Sequence, residues 1–149
     1  MNNLDTLIFD FENTEMSDRY SNILKQLLQN FKESNLRKLK ISVECCESDE
    51  IALDPFLINL WPHIKNISSL QSLSIETLSD PVSNIIVREL GNSSLPLQSL
   101  TLGETDLVDE MTDTIAKFIR ASPSIKKIRL KGTNTSLRDI ETIVTAVEQ

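Results

Sequence analysis

The chain has 149 residues, a net charge of -7 and a single histidine, and these properties exclude several classes of protein. The length fits one domain, and 40% hydrophobic residues is the content of a globular chain. No apolar run approaches the roughly 20 residues that span a bilayer, and the acidic balance disfavours general nucleic-acid binding. We therefore expect one globular domain, 1–149, with neither a nucleic acid nor a membrane as partner.

An apolar triplet with a fixed internal spacing recurs along the whole chain, which is typical of repeat architectures. Its first residues are separated by 32, 34, 27 and 28 positions, so the expected repeats are 4–35, 36–69, 70–96, 97–124 and 125–149. The triplets are Leu4, Leu7, Phe9; Leu36, Leu39, Ile41; Leu70, Leu73, Ile75; Leu97, Leu100, Leu102; and Ile125, Ile128, Leu130.

Each triplet lies in a short alternating run that predicts a strand, and a helical apolar stripe follows each run. The predicted strands are 6–11, 38–43, 72–76, 99–103 and 127–131. In the first repeat, 16–20 is expected to be irregular and the helix to cover 21–31, with Ile23 and Leu24 inward. In the second, Asp54-Pro55 is a helix start signal and Trp61 belongs to the buried stripe.

The last three helices are predicted from similar signals. Asp80-Pro81 starts the third, with Ile85 and Ile86 inward and Gly91 as a left-handed C-terminal cap. The fourth covers 109–120, with Met111, Ile115, Phe118 and Ile119 as its stripe. A capping box at 136–139 starts the fifth, whose apolar face ends at Val147.

Strand–helix alternation requires parallel strands with crossover helices. A doubly wound sheet and a solenoid with all its helices on one side both satisfy that requirement. Strands buried on both faces are continuously apolar, whereas here polar residues such as Lys38, Ser72 and Arg129 alternate with the apolar ones. The alternation favours the solenoid. Because strands stack about 4.8 Å apart and helices about 8 to 10 Å apart, the sheet should form the concave side of an arc.

The 97–107 segment, L-Q-S-L-T-L-G-E-T-D-L, resembles the leucine-rich repeat family. The 27- and 28-residue spacings and the predicted convex helices are similar to its ribonuclease-inhibitor subclass. The resemblance covers the whole chain and implies an α/β horseshoe of about five strand–helix repeats. Family members usually carry Asn or Cys at position nine of the motif, where this chain has Glu12, Glu44, Leu78, Thr105 and Thr133. We therefore expect irregular turns after the first three repeats.

The sequence contains no catalytic, metal-binding or phosphate-binding motif that we recognise. His63 follows Trp61-Pro62 and has no spaced ligand partners, so we expect a structural or solvent-facing side chain. These observations predict a non-enzyme without cofactors. The adjacent Cys45 and Cys46 are most simply reduced thiols, with a strained disulfide as the alternative, and indicate a cytoplasmic protein, or one delivered into a host cytoplasm if it is a bacterial effector.

The candidate functional residues are those that the motif leaves free on the concave face. The leading hypothesis is a non-catalytic module that binds another protein, one with an acidic segment, through this face. Across the face, five cations oppose three carboxylates, and small hydroxyl side chains line its middle. The predicted binding residues are Lys38, Lys40, Ser72, Ser74, Glu76, Ser99, Thr101, Glu104, Lys127, Arg129 and Lys131.

Three alternatives remain open at this level. These residues could be ordinary solvated strand positions, or the chain could be the targeting or sensing domain of a larger enzyme or receptor. A weaker option is binding of anionic lipid or nucleic acid through Lys38, Lys40, Lys127 and Arg129. The first strand also presents Ile8 and Phe11 on an edge without a polar cap, and three readings of that edge are open: continuation into further sequence, contact with a partner, or self-association.

Overall fold

The computed structural model describes residues 4–12, 18–30, 35–44, 58–76, 80–103, 109–131, 141, 145, 147 and 148. Within these residues the chain is α/β, with five strands alternating with helices. The strands are β1 (Thr6–Glu12), β2 (Lys38–Glu44), β3 (Ser72–Glu76), β4 (Ser99–Gly103) and β5 (Lys127–Lys131). The helices are α1 (Asp18–Asn30), α2 (residues 58–64), α3 (Asp80–Gly91) and α4 (Asp109–Ala121).

The five strands form one parallel sheet in the order β1-β2-β3-β4-β5. The predicted strands are confirmed, with β1 and β2 each one residue longer than expected. The register preserves the sequence motif, because the second residues of successive triplets, Leu7, Leu39, Leu73, Leu100 and Ile128, lie opposite one another. The repeat spacing thus fixes which residues share a row of the sheet.

One face of the sheet is buried and the other is accessible. In β2, β3 and β4 the triplet residues are almost completely buried: Leu39, Ile41, Leu73, Ile75, Leu100 and Leu102. The intervening residues of β3, such as Ser72 and Ser74, remain partly exposed. The apolar core therefore lies between the sheet and the helices, as the alternation predicts.

A second ladder of hydrogen bonds joins the repeats just before each strand. The residue after the first triplet position accepts two backbone N–H bonds from the next repeat. The pairs of bonds run from Arg37 and Lys38 to the Asp5 oxygen, from Gln71 and Ser72 to Arg37, from Gln98 and Ser99 to Gln71, and from Lys126 and Lys127 to Gln98, at 2.7–3.0 Å. These four identical steps hold the strand starts in line.

The helical stripes agree with prediction except in their rotation. Leu24, Leu28, Leu60, Trp61 and Ile64 are buried, as are the apolar residues of α4, with Ile119 partly so. Two residues expected inward are exposed: Ile23 at 51% and Ile85 at 42%. In α3, Ile86 is buried as predicted, together with Ser83, Val87 and Leu90, and this buried face lies about half a turn from Ile85.

The rotation of α3 follows from its packing against α4. Thr114 donates a hydrogen bond from Oγ1 to Asn84 Oδ1 at 2.9 Å, so the side chain of Asn84 faces the neighbouring helix. Gly91 does not adopt the predicted left-handed conformation. It ends α3 in helical geometry, and a Cβ there would lie 3.7 Å from the Cα of Phe118 in α4. That distance is an ordinary van der Waals contact, so the packing of α3 on α4 leaves space for a methyl group here.

Other predictions are corrected or fall outside the described residues. The α1 helix starts at Asp18, not Ser21, and an acidic residue in a first turn complements the helix dipole. Val147, expected on the buried face, is 66% exposed. The Asp54-Pro55 start, Cys45, Cys46, the capping box at 136–139 and the turns after the first three repeats lie outside the described residues. No helix in the described part is long and apolar enough to cross a membrane.

Candidate functional site

The accessible side of the sheet, which we call the open face, consists of alternate residues of the five strands. Two of its rows cross the whole sheet in register. The first row is Thr6, Lys38, Ser72, Ser99 and Lys127, and the second is Ile8, Lys40, Ser74, Thr101 and Arg129. A third, shorter row begins with Asp10, Ser42 and Glu76. Since the strands alternate, all these side chains leave the same side of the sheet.

Glu76 is held in place by two residues of the neighbouring strand β2. Its Oε1 lies 3.5 Å from Lys40 Nζ, and its Oε2 accepts a hydrogen bond from Ser42 Oγ at 3.4 Å. The side chain of Glu76 is only 24% exposed, whereas that of Lys40 is 42% exposed. The carboxylate is thus an internal counter-ion of Lys40 and not a free acid, which lowers the attraction of this part of the face for anions.

The basic residues of β5 are more accessible. Lys127 and Arg129 are both exposed. Among the described residues, the ion pairs join Asp5 to Arg37, Lys40 to Glu76, Lys65 to Glu89 and Arg88 to Glu110, and do not include these two cations. Lys38 in β2 is also exposed and outside those pairs. These three cations are therefore available to an external anion.

In its first two rows the open face has two basic bands with hydroxyl side chains between them, and the carboxylate of Glu76 on β3 lies in the third row. Lys38 and Lys40 lie on β2, Lys127 and Arg129 lie on β5, and the rows between them carry Ser or Thr on β3 and β4. At about 4.8 Å per strand, the two bands are roughly 15 Å apart. The body of the chain is acidic, so the open face is electropositive relative to the rest.

The structure brings together most of the residues predicted as a binding site. Lys38, Lys40, Ser72, Ser74, Glu76, Ser99, Thr101, Lys127 and Arg129 share the open face, and Lys131 occupies the register position opposite Gly103. Glu104 and the side chain of Lys131 lie outside the described residues. Sequence reasoning missed the contact of Ser42 with Glu76, although the shared register of the two positions was already present in the triplet spacing.

The described cavities lie away from the middle of the open face, and Lys127 at its edge also lines one of them. One, of about 590 Å³, is at the C-terminal end of the sheet between α4 and β5, with Ile119, Ile125 and Leu130 in its wall. Another, of about 350 Å³, lies between α3 and α4. No group of three or more potential metal ligands was found among the described residues. The open face is an extended polar surface and not an enclosed cavity.

No family model, curated protein or solved structure matches this chain. A functional assignment therefore depends on the charges and register of the open face. The described exposed ions of the helices are mixed in sign, as in the pairs Lys65 with Glu89 and Arg88 with Glu110, unlike the basic bands of the open face.

Proposed function

We propose that the chain is a leucine-rich-repeat-like solenoid. The sequential strand order, the constant register of the triplets and the hydrogen-bond ladder that repeats before each strand support this proposal. A single buried face of the sheet supports it further, because a doubly wound sheet would bury both faces. In such an arc the open face is the concave surface.

The function that this geometry supports best is non-catalytic binding of another protein through the open face. The partner segment is acidic and extended, and it crosses the strands from the basic band of β2 to the basic band of β5. The observation that carries the proposal is the pair of bands separated by hydroxyl side chains. A segment of five to seven residues spans the roughly 15 Å between them, at about 3.3 Å per extended residue or somewhat less.

Each part of the face has a distinct task in this proposal. The exposed cations Lys38, Lys127 and Arg129 attract and orient the acidic segment, which raises the association rate more than the affinity. Exposed ion pairs contribute only about 0.2–1 kcal/mol each, so several of them must act together. The hydroxyls of Ser74, Ser99 and Thr101 add hydrogen bonds to the backbone or carboxylates of the segment.

The probe that tests the proposal is a fluorescently labelled peptide of alternating Glu and Ser, and a Lys/Ser peptide of the same length and opposite charge is its control. We expect the acidic peptide to bind, with an affinity that falls as salt is added, because the attraction is between exposed charges. Lys127→Glu combined with Arg129→Glu should weaken binding by at least about tenfold, since it turns attraction into repulsion.

The matched control reverses two cations on the helical side of the molecule, Lys65→Glu and Lys117→Glu. It changes the net charge by the same amount, and both residues are exposed. Equal loss of peptide binding in both double variants would show attraction to overall charge and would contradict a site on the open face. Capture of partners from a cell lysate, with the two double variants side by side, then identifies candidate physiological partners.

A further inference from the structure

The apolar triplet residues are more exposed to solvent at the two edges of the sheet than at its centre. The first triplet residue is 36% exposed at Leu4 in the first repeat and 0% exposed at Leu36 in the second. Leu7 and Phe9 on β1, and Ile128 and Leu130 on β5, are only partly buried, whereas their equivalents on the inner strands are covered. Both ends therefore present apolar surface that a further repeat would cover.

The charges of the two ends are opposite. On each outer strand and at the residue before it, the described exposed ionic residues are Asp5 and Asp10 at the β1 end and Lys126, Lys127 and Arg129 at the β5 end, and the exposed Glu141 and Glu148 follow β5 in the last repeat. Two β1 ends placed together would bring acids against acids, and two β5 ends would bring cations against cations. The electrostatics favour a β1 end against a β5 end.

Continuation of the register from β5 to the β1 strand of a second copy pairs one of these cations, Lys126, with one of these acids, Asp5. At the position before the strand, side chains of adjacent repeats already contact each other: Arg37 Nε lies 3.8 Å from Asp5 Oδ1, and Lys126 Nζ lies 3.4 Å from Gln98 Oε1. The next step of the same row places Lys126 beside Asp5 of the second copy. Three residues further along each strand, Arg129 would lie opposite Ile8 of the second copy, and Ile8 is 59% exposed.

The backbone is complementary as well. In each of the four steps of the ladder, one carbonyl accepts two N–H bonds from the following repeat. A fifth step would use the carbonyl of Lys126 as the acceptor and the N–H groups of Asp5 and Thr6 of the next copy as the donors. The β5 end of the described sheet thus has the acceptor carbonyl, and the β1 end has the donor N–H groups, of a hydrogen-bonded step that occurs four times within the sheet.

We propose that the chain self-associates head to tail, with the β5 end of one copy on the β1 end of the next. The interface extends the parallel sheet, covers Leu4, Leu7 and Ile8, and pairs Lys126 with Asp5. Such an interface is heterologous, so it does not close on a dimer. The average mass of the particles therefore increases steadily with protein concentration and decreases when salt is added.

Sedimentation velocity over a concentration series tests this proposal, with two single charge reversals and their combination. Asp5→Lys and Lys126→Asp each place like charges together, and each should weaken association by roughly tenfold. The chain that carries both changes restores an opposite pair and should recover most of the association. A wild-type chain that stays monomeric at every concentration would overturn the proposal.

The same variants separate head-to-tail contact from a symmetric one. If two β1 ends met each other, Lys126→Asp would leave association unchanged and the double variant would not differ from Asp5→Lys. Ile8→Ser removes exposed apolar area from the interface and should weaken association about fivefold or more. Its control, Ile85→Ser, removes a similarly exposed isoleucine from α3 and should have no effect, so equal losses in the two would contradict the proposed surface.

Discussion

The inner strands β2, β3 and β4 and the outer strands β1 and β5 carry the same motif but contribute differently to the core. Leu39, Leu73 and Leu100 are covered on both sides by neighbouring repeats, whereas Leu7 and Ile128 have a neighbour on one side only. In a stack of repeats, stability is approximately a sum of terms within repeats and between neighbours. The burial of a motif residue therefore depends on the repeats on either side of it and not on its own repeat alone.

The largest effect expected from this comparison is on core leucines. Leu73→Ala should lower the free energy of unfolding by about 3 kcal/mol, because it leaves a cavity in a fully buried row. Leu7→Ala removes the same atoms from the outer strand and should cost about half as much, since solvent already reaches that site. Urea denaturation of both variants measures the two values, and equal losses would refute the neighbour argument.

A smaller effect is expected from two serines that each bond the first residue of their own repeat, as defined by the triplet spacing. Ser69 Oγ donates a hydrogen bond to the Leu36 carbonyl at 2.6 Å, and Ser124 Oγ donates one to the Leu97 carbonyl at 2.9 Å. Ser69→Ala should cost about 1 to 2 kcal/mol, because a partly buried carbonyl loses a bond. Ser124→Ala, at the outer step, should cost less. Thermal denaturation followed by circular dichroism compares them, and the reverse order would contradict this ranking.

The smallest effect concerns the contact of the two inner helices α3 and α4. Gly91→Ala should stabilise the protein by about 0.5 kcal/mol, because the residue is helical and alanine favours helix. A Cβ at 3.7 Å from the Phe118 backbone is an ordinary van der Waals contact. Gly91→Val, with a larger and β-branched side chain, is the comparison and should destabilise instead. A loss of stability in the alanine variant would show that the contact of α3 with α4 cannot accommodate a methyl group at position 91.

The strands and their register could be predicted from the sequence because both follow from one short motif. A period of two residues leaves only two orientations for a strand, so the alternation of Lys38, Leu39 and Lys40 already indicates which side is buried. The open face could be assembled from the same register. This is why most of the predicted binding residues do share one surface.

The helices could not be predicted to the same precision. Adjacent positions differ by about 100° around a helix, and the buried sector depends on the sheet below and the helices on either side. Ile85 has the right spacing for an inward stripe, yet the contact of Asn84 with Thr114 sets another rotation. The indole N–H of Trp61 shows a similar limit, because it is buried without a hydrogen-bond partner in the structure, which apolar spacing does not reveal.

The ladder before the strands has a consequence for how the length of this protein can change. Each step joins a backbone carbonyl to two backbone N–H groups, so it does not depend on which side chains the two repeats carry. Removal of residues 70–96 would place Gln98 where Gln71 now lies, against the carbonyl of Arg37. Insertion or loss of a whole repeat therefore preserves every remaining step, whereas one residue inserted within a strand would shift the register of that strand against its neighbours. Duplication in whole units is the route of growth that this backbone permits.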